Sequence, residues 1–180
     1  MQGPVRLEAV VVNNLSGMEL FPITIDNYPE VIRIYQEGMA TGFATFETSA
    51  PTWEAWDASH HNFGRIVAKE NDHVLGWAAL SPTSKRYVYR GVAEVSIYVA
   101  STARGRGVGT TLLQTLIELS EENNIWTLQS GIFPQNKASI TMHERCGFRM
   151  IGYRERIAMR DGDWHDNVLL ERRSNKVGVD

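Results

Sequence analysis

The stretch Ala93–Gln114, AEVSIYVASTARGRGVGTTLLQ, limits what this chain can fold into more than any other segment. Val95, Ile97 and Val99 recur at period two, the spacing of a half-buried strand. Ala100 to Arg104 breaks that period. Gly105-Arg106-Gly107-Val108-Gly109 then opens a helical pattern carried by Leu112, Leu113, Leu116, Ile117 and Leu119. A strand feeding a glycine-rich turn and a helix N-terminus is a phosphate-binding device. Glycines let the backbone approach closely, the first amides of the helix lack internal partners, and the helix dipole favours negative charge.

Composition narrows the class. The chain has 180 residues, 43% of them hydrophobic and 22% charged, as expected for one globular domain with a real core. A net charge of −3 gives no general reason to expect nucleic acid or an anionic membrane as partner. No apolar run approaches the ~20 residues of a membrane span, and the N-terminus makes a poor signal peptide. Cys146 is the sole cysteine, which excludes an internal disulfide and suits a reducing cytoplasm. His60 and His61 are adjacent, so they point to different helix faces, and no further ligand cluster makes them a metal site.

The spacing predicts one domain over residues 18–174, after an N-terminal extension (1–17) of open structure and before a tail at 175–180. Val5 to Val12 reads either as an extra strand or as part of a loose extension. Phe21, Ile23 and Ile25 alternate as a strand, and Asp26 or Asn27 caps a helix that begins at Tyr28-Pro29-Glu30. Ala44 to Thr48 reads as extended, and Thr52 caps a helix carrying Trp53 and Trp56. Strands follow at Arg65–Lys69 and Val74–Leu80, then, after the opening stretch, at Ile125–Phe133. Asn136 starts a short helix, and a hairpin around Asp161-Gly162-Asp163 ends the domain. This order predicts an α/β (α+β) fold, a mixed sheet flanked by helices.

Three phosphate loops compete for the glycine-rich turn. A Walker loop requires a lysine after its last glycine, and none is present. A dinucleotide fingerprint requires G-x-G-x-x-G and an acid on the next strand; the spacing here is G-x-G-x-G and Gly131-Ile132-Phe133 carries no acid. The pattern R-x-x-G-x-G is met by Arg104, Gly107 and Gly109. By itself this motif also fits a glycine-rich helix start with no ligand. A second motif, Asn136-Lys137-Ala138 followed by His143-Glu144-Arg145-Cys146-Gly147-Phe148, argues against that simpler reading.

Together the two motifs resemble motifs A and B of the GCN5-related N-acetyltransferases (GNAT). Thr45-Phe46-Glu47-Thr48, Arg86-x-x-Tyr89-Arg90, Ala93-Glu94-Val95-Ser96 and Asp163-Trp164-His165-Asp166 further resemble the phosphinothricin and methionine sulfoximine N-acetyltransferase branch. The resemblance implies a mostly antiparallel sheet with one splayed strand pair. It implies acetyl-CoA as co-substrate, with pantetheine on Ile97, Tyr98, Val99 and Asn136, and pyrophosphate on Arg104, Gly105, Arg106, Gly107, Val108 and Gly109. It further implies a small glutamate-like amino acid as acceptor and a homodimer.

Amide formation needs a neutral amine, so a base must take a proton. Glu94, on the strand that feeds the loop, is the candidate; the plain alternative is a solvated strand carboxylate. His143 stands where many relatives carry a tyrosine that protonates the leaving thiolate, and it also suits a packing role. Arg86 and Arg90 are the branch's substrate arginines, with an exposed basic loop as the alternative. Phe46 and Thr48 are expected to wall the pocket, and His165 either binds substrate or packs near Trp164. Another amine or a protein N-terminus as acceptor, or a non-catalytic acyl-CoA-binding module, are the rival functions.

Overall fold

A computed structural model describes residues 17–179; the expectations for Val5–Val12 lie outside them. Seven strands form one sheet: β1 (Glu19–Pro22), β2 (Arg65–Glu70), β3 (His73–Pro82), β4 (Val92–Val99), β5 (Thr127–Ile132), β6 (Arg149–Arg160) and β7 (Asp163–Arg173). Their order is β1-β2-β3-β4-β5-β7-β6. Every neighbouring pair is antiparallel except β4 and β5, which run parallel. That pair is joined only from Val92–Thr127 to Glu94–Gln129, and beyond Glu94 the two strands part. The mixed, mostly antiparallel sheet with a splayed pair is therefore present.

The helices are α1 (Tyr28–Ala40), α2 (Trp53–Ser59), α3 (Val108–Glu122) and α4 (Lys137–Arg145). Helix α3 packs across β2, β3 and β4 and sinks Leu112, Leu113 and Leu116 completely, each contributing about 1.5–3 kcal/mol on burial. Helix α1 covers the other face of β3 and β4, where Val31 and Ile34 are buried and Gly38 lies against Tyr98. The alternation read from the sequence therefore sends Val99 toward α3 and Glu94, Ser96 and Tyr98 toward α1.

Three local readings are corrected. The first strand stops at Pro22, because a turn follows in which Asn27 Oδ1 accepts from the Thr24 amide (2.9 Å) and Nδ2 donates to the Pro22 carbonyl (2.9 Å). Asn27 thus closes the entry to α1 instead of capping it, and Ile25 is left exposed. Thr52 does cap α2, accepting from the Ala55 amide at 3.3 Å. Ala44–Thr48 is an irregular loop, not an extended piece. Thr45 Oγ1 lies 3.2 Å from the Tyr35 hydroxyl, and Arg160, at the end of β6, donates to the Thr45 and Met39 carbonyls at 3.0 and 2.9 Å. The loop is held down by side chains from two distant elements, which a local propensity cannot report.

Candidate active site

The cofactor end is built from backbone. Beyond Glu94 the edge of β4 that faces β5 has no strand partner, so its N–H and C=O groups can pair with an extended ligand arm. A short 3-10 turn at Ser101–Ala103 leads into the glycines. Gly107 has φ +81° and nothing within 4 Å of where a Cβ would stand, so a side chain there would strain the turn and fill the cradle. The Thr111 amide is the first to bond back into α3, to Gly107 O at 3.0 Å, which leaves the amides ahead of it aimed at the loop. Val108 is buried and contributes backbone only, and Gly109 packs on Met142. Arg106 is paired to Glu70 (2.7 and 2.9 Å), while Arg104 is exposed beside the loop. Consecutive amides, a helix N-terminus and two guanidinium groups fit a pyrophosphate. Asn136 caps α4 through Oδ1, which accepts from Ser139 N (3.2 Å), and its Nδ2 makes no bond among the described residues.

A cavity of about 600 Å³ occupies the opening between β4 and β5. It extends from Asn136, Ser139 and His143 past Ile97 and Tyr98 to Glu94 and an aromatic wall that includes Phe46, Trp56 and Trp77. Tyr98 stacks on Trp77 at 4.9 Å and donates to the Ala44 carbonyl at 3.3 Å, and burial pushes its phenol pKa up. Val99 stands outside the cavity, toward Gly109.

Glu94 lines the cavity. The residue as a whole is solvent-exposed, while its carboxylate stands at the cavity wall with enough protein around it to lose part of its hydration. Burial raises its pKa above the ordinary 4.5, and the Arg154 guanidinium pulls the other way. That direction favours proton uptake by the carboxylate relative to a fully hydrated one. His143 is 3% exposed. Its Nδ1 lies 2.8 Å from the Ser139 carbonyl, which only accepts, so Nδ1 carries the proton and Nε2 presents a lone pair. Burial lowers the His143 pKa, and Nε2 is buried without a hydrogen-bond partner among the described residues. As it stands His143 accepts a hydrogen bond at Nε2; the acid role read from the sequence requires a proton to be taken up there first.

The substrate residues separate. Phe46 lines the cavity and packs on Phe133 with ring centroids 4.5 Å apart. His165 backs both rings, at 6.3 Å from Phe46 and 5.7 Å from Phe133, without lining the cavity. Thr48 does not line it, although Glu47 and Ser49 on either side do. Arg86 and Arg90 are not brought to it either. The Arg86 guanidinium lies 5.3 Å from the Tyr89 ring, and that of Arg90 lies 4.3 Å from Tyr87 and 5.2 Å from Trp126. Cation–π contact holds both in the loop. Two lining residues escaped sequence reasoning. His60 is stacked on Trp56 at 4.2 Å, and Asn167 reaches the cavity only through the register of β7 on β5. No local motif marks either one.

Comparison with known proteins agrees with this geometry. The model of the acetyltransferase (GNAT) family matches residues 28–148. A phosphinothricin N-acetyltransferase of Alcaligenes faecalis is 34% identical over 156 residues, covering 83% of this chain and 79% of that protein. An L-methionine sulfoximine/L-methionine sulfone acetyltransferase of Pseudomonas paraeruginosa is 27% identical, covering 82% of this chain and 89% of that protein. The fold also matches a solved phosphinothricin acetyltransferase of Sinorhizobium meliloti in complex with acetyl-CoA, with TM-score 0.81 and 24% identity over 91% of this chain and 92% of that one. The splayed strand, the glycine cradle at α3 and the family match spanning most of the domain agree: this chain belongs to the GNAT family of acetyltransferases.

Proposed function

We propose that the protein transfers the acetyl group of acetyl-CoA directly to the α-amino group of a small glutamate-like amino acid of the phosphinothricin, methionine sulfoximine or methionine sulfone type. The observation that carries this reading is the position of Glu94. It is a carboxylate made more basic by burial, inside the cavity, on the strand whose free edge and following loop form the cofactor cradle. Glu94 takes one proton from the acceptor ammonium, directly or through water; the neutral amine adds to the thioester carbonyl, and the tetrahedral adduct loses its second nitrogen proton to water as it collapses and the C–S bond breaks. Unpaired amides on the β4 edge suit the negative charge that develops on a carbonyl oxygen. Acetyl-CoA supplies the activated acyl group and a thiol leaving group whose parent pKa is about 8.5. His143 accepts at Nε2, and the departing thiolate takes its proton from water or from a His143 protonated in turn. Cys146 does not line the cavity and burial raises its thiol pKa, which favours direct attack over an acetyl-cysteine.

Thiol release from acetyl-CoA across phosphinothricin, methionine sulfoximine, methionine sulfone and ordinary amino acids tests the reading. Release with the first three is expected. No release across a broad amine panel by protein that still binds CoA would overturn it in favour of a binding module. Release only with amines that lack a carboxylate would overturn the substrate class.

We further propose a homodimer that covers the outer hairpin. Its support is a row of exposed apolar side chains on β6 and β7: Met150 (47%), Tyr153 (57%), Met159 (55%) and Trp164 (56%). Sedimentation should give twice the chain mass; a monomer at micromolar concentration would rule this out.

A further inference from the structure

Arg86 and Arg90 lie apart from the cavity, beside aromatic rings. A further cation comes from the β6 edge of the sheet. Arg154 on β6 and Asn167 on β7 are register partners, and Arg154 Nε donates to Asn167 Oδ1 at 2.7 Å. Asn167 is 6% exposed and lines the cavity. Both side chains lie over Gly131 of β5, where a Cβ would stand 2.9 Å from Asn167 Nδ2 and 3.5 Å from Arg154 Nη2. Pairing of β7 on β5, and of β5 on β4 at Glu94–Gln129, puts Gly131, Asn167 and Arg154 on the same face of the sheet as Glu94. A guanidinium carries five N–H donors; Nε is committed to Asn167, and Nη1 and Nη2 meet no acceptor among the described residues. Among the described residues no carboxylate lies within ion-pair distance of it. A guanidinium fixed at Nε with its outer edge free matches the bidentate geometry of a carboxylate.

Resting on the function proposed above, we infer that Arg154, oriented by Asn167 and given room by Gly131, binds the α-carboxylate of the acceptor amino acid. The amine and the carboxylate of such a substrate are bonded to one α-carbon. The groups that read them must therefore lie near one another: Arg154, exposed and just outside the cavity wall, reaches over Gly131, which lines the cavity, and its charge acts on the Glu94 carboxylate. Asn167 is a positioning residue: it touches the guanidinium and fixes its plane. The pairing selects amines that carry an adjacent carboxylate and disfavours polyamines, which would bring like charge to the guanidinium.

The test compares phosphinothricin with its decarboxylated analogue, 3-aminopropyl(methyl)phosphinic acid, on the wild type, Arg154→Gln, Arg154→Lys and Asn167→Ala. Arg154→Gln should raise KM for phosphinothricin about tenfold to a hundredfold, the loss expected for charge-assisted hydrogen bonds. KM for acetyl-CoA and for the decarboxylated amine should not change. Arg154→Lys should recover part of the loss, and Asn167→Ala should show a smaller loss of the same kind. Thermal melting confirms that each variant is folded. If the wild type acetylates phosphinothricin and Arg154→Gln keeps the preference over the decarboxylated amine, this inference falls and the proposed function stands. If the wild type takes only the decarboxylated amine, or turns over neither and shows no calorimetric binding of phosphinothricin in the presence of CoA, both fall.

Discussion

Glu94 feels two opposed influences, and the balance between them sets the pH dependence. Burial raises its pKa and the Arg154 charge restrains the rise. As the proposed base Glu94 must be deprotonated, so kcat/KM should climb as pH rises through its pKa, with the acid limb above the ordinary 4.5. Arg154→Gln should move that limb to higher pH. A limb at or below the ordinary carboxylate range in the wild type would mean that Glu94 is not the base. His143 shows the other outcome of burial. Its lowered pKa keeps it neutral at working pH, with Nδ1–H spent on the Ser139 carbonyl and Nε2 free to accept. Residue type pointed to this histidine as a group that exchanges protons. Only its hydrogen bond shows which nitrogen carries the proton.

At the scale of elements, the site is where three strands come into register. Gly131→Ala would place a Cβ 2.9 Å from Asn167 Nδ2, pushing Asn167 from the cavity wall and displacing the Arg154 guanidinium bonded to it. It should weaken acceptor binding roughly tenfold, in line with loss of a hydrogen bond to a charged group, and leave acetyl-CoA affinity unchanged. Paired kinetic and calorimetric titrations check this, and equal losses for both ligands would mean a general distortion of β5. The same contrast explains what the sequence made legible. The strand, glycine turn and helix of the candidate cradle could be read because they follow one another in the chain, and Asn136 caps the helix it begins. Arg154 could not be read. It sits in the charged run Arg154-Glu155-Arg156, indistinguishable from a solvated edge strand until β7 pairs with β5 on one side and β6 on the other. Arg86 and Arg90 show the complementary case: the sequence marks them as cations before the base strand, and only the fold shows that they stand apart from the cavity beside Tyr87, Tyr89 and Trp126.

For the whole molecule, the end of the chain is locked to the core by Glu121 at the C-terminal end of α3. Burial alone would raise its pKa, but hydrogen bonds from Lys176, Arg172 and Ser174, each at 3.0 Å, outweigh that and lower it. A carboxylate with a lowered folded pKa stabilises above its unfolded pKa, and that contribution is lost as pH falls through the folded value. Glu121→Gln should cost about 2 kcal/mol at pH 7, less than a fully buried pair because Lys176 is exposed. The gap between variant and wild type should close as pH falls below 4.5, the ordinary carboxylate value. Denaturant unfolding at several pH values measures both effects, and a constant gap would contradict the ion-pair origin. The larger claim is that β4 joins base to cofactor, with Glu94 before the splay and the glycine cradle after it. The direct measurement is kcat and the CoA dissociation constant of Glu94→Gln beside the wild type. Loss of a general base should lower kcat about a hundredfold or more, with CoA affinity unchanged within twofold. An equal fall in both, or an unchanged kcat, would contradict the role given to Glu94.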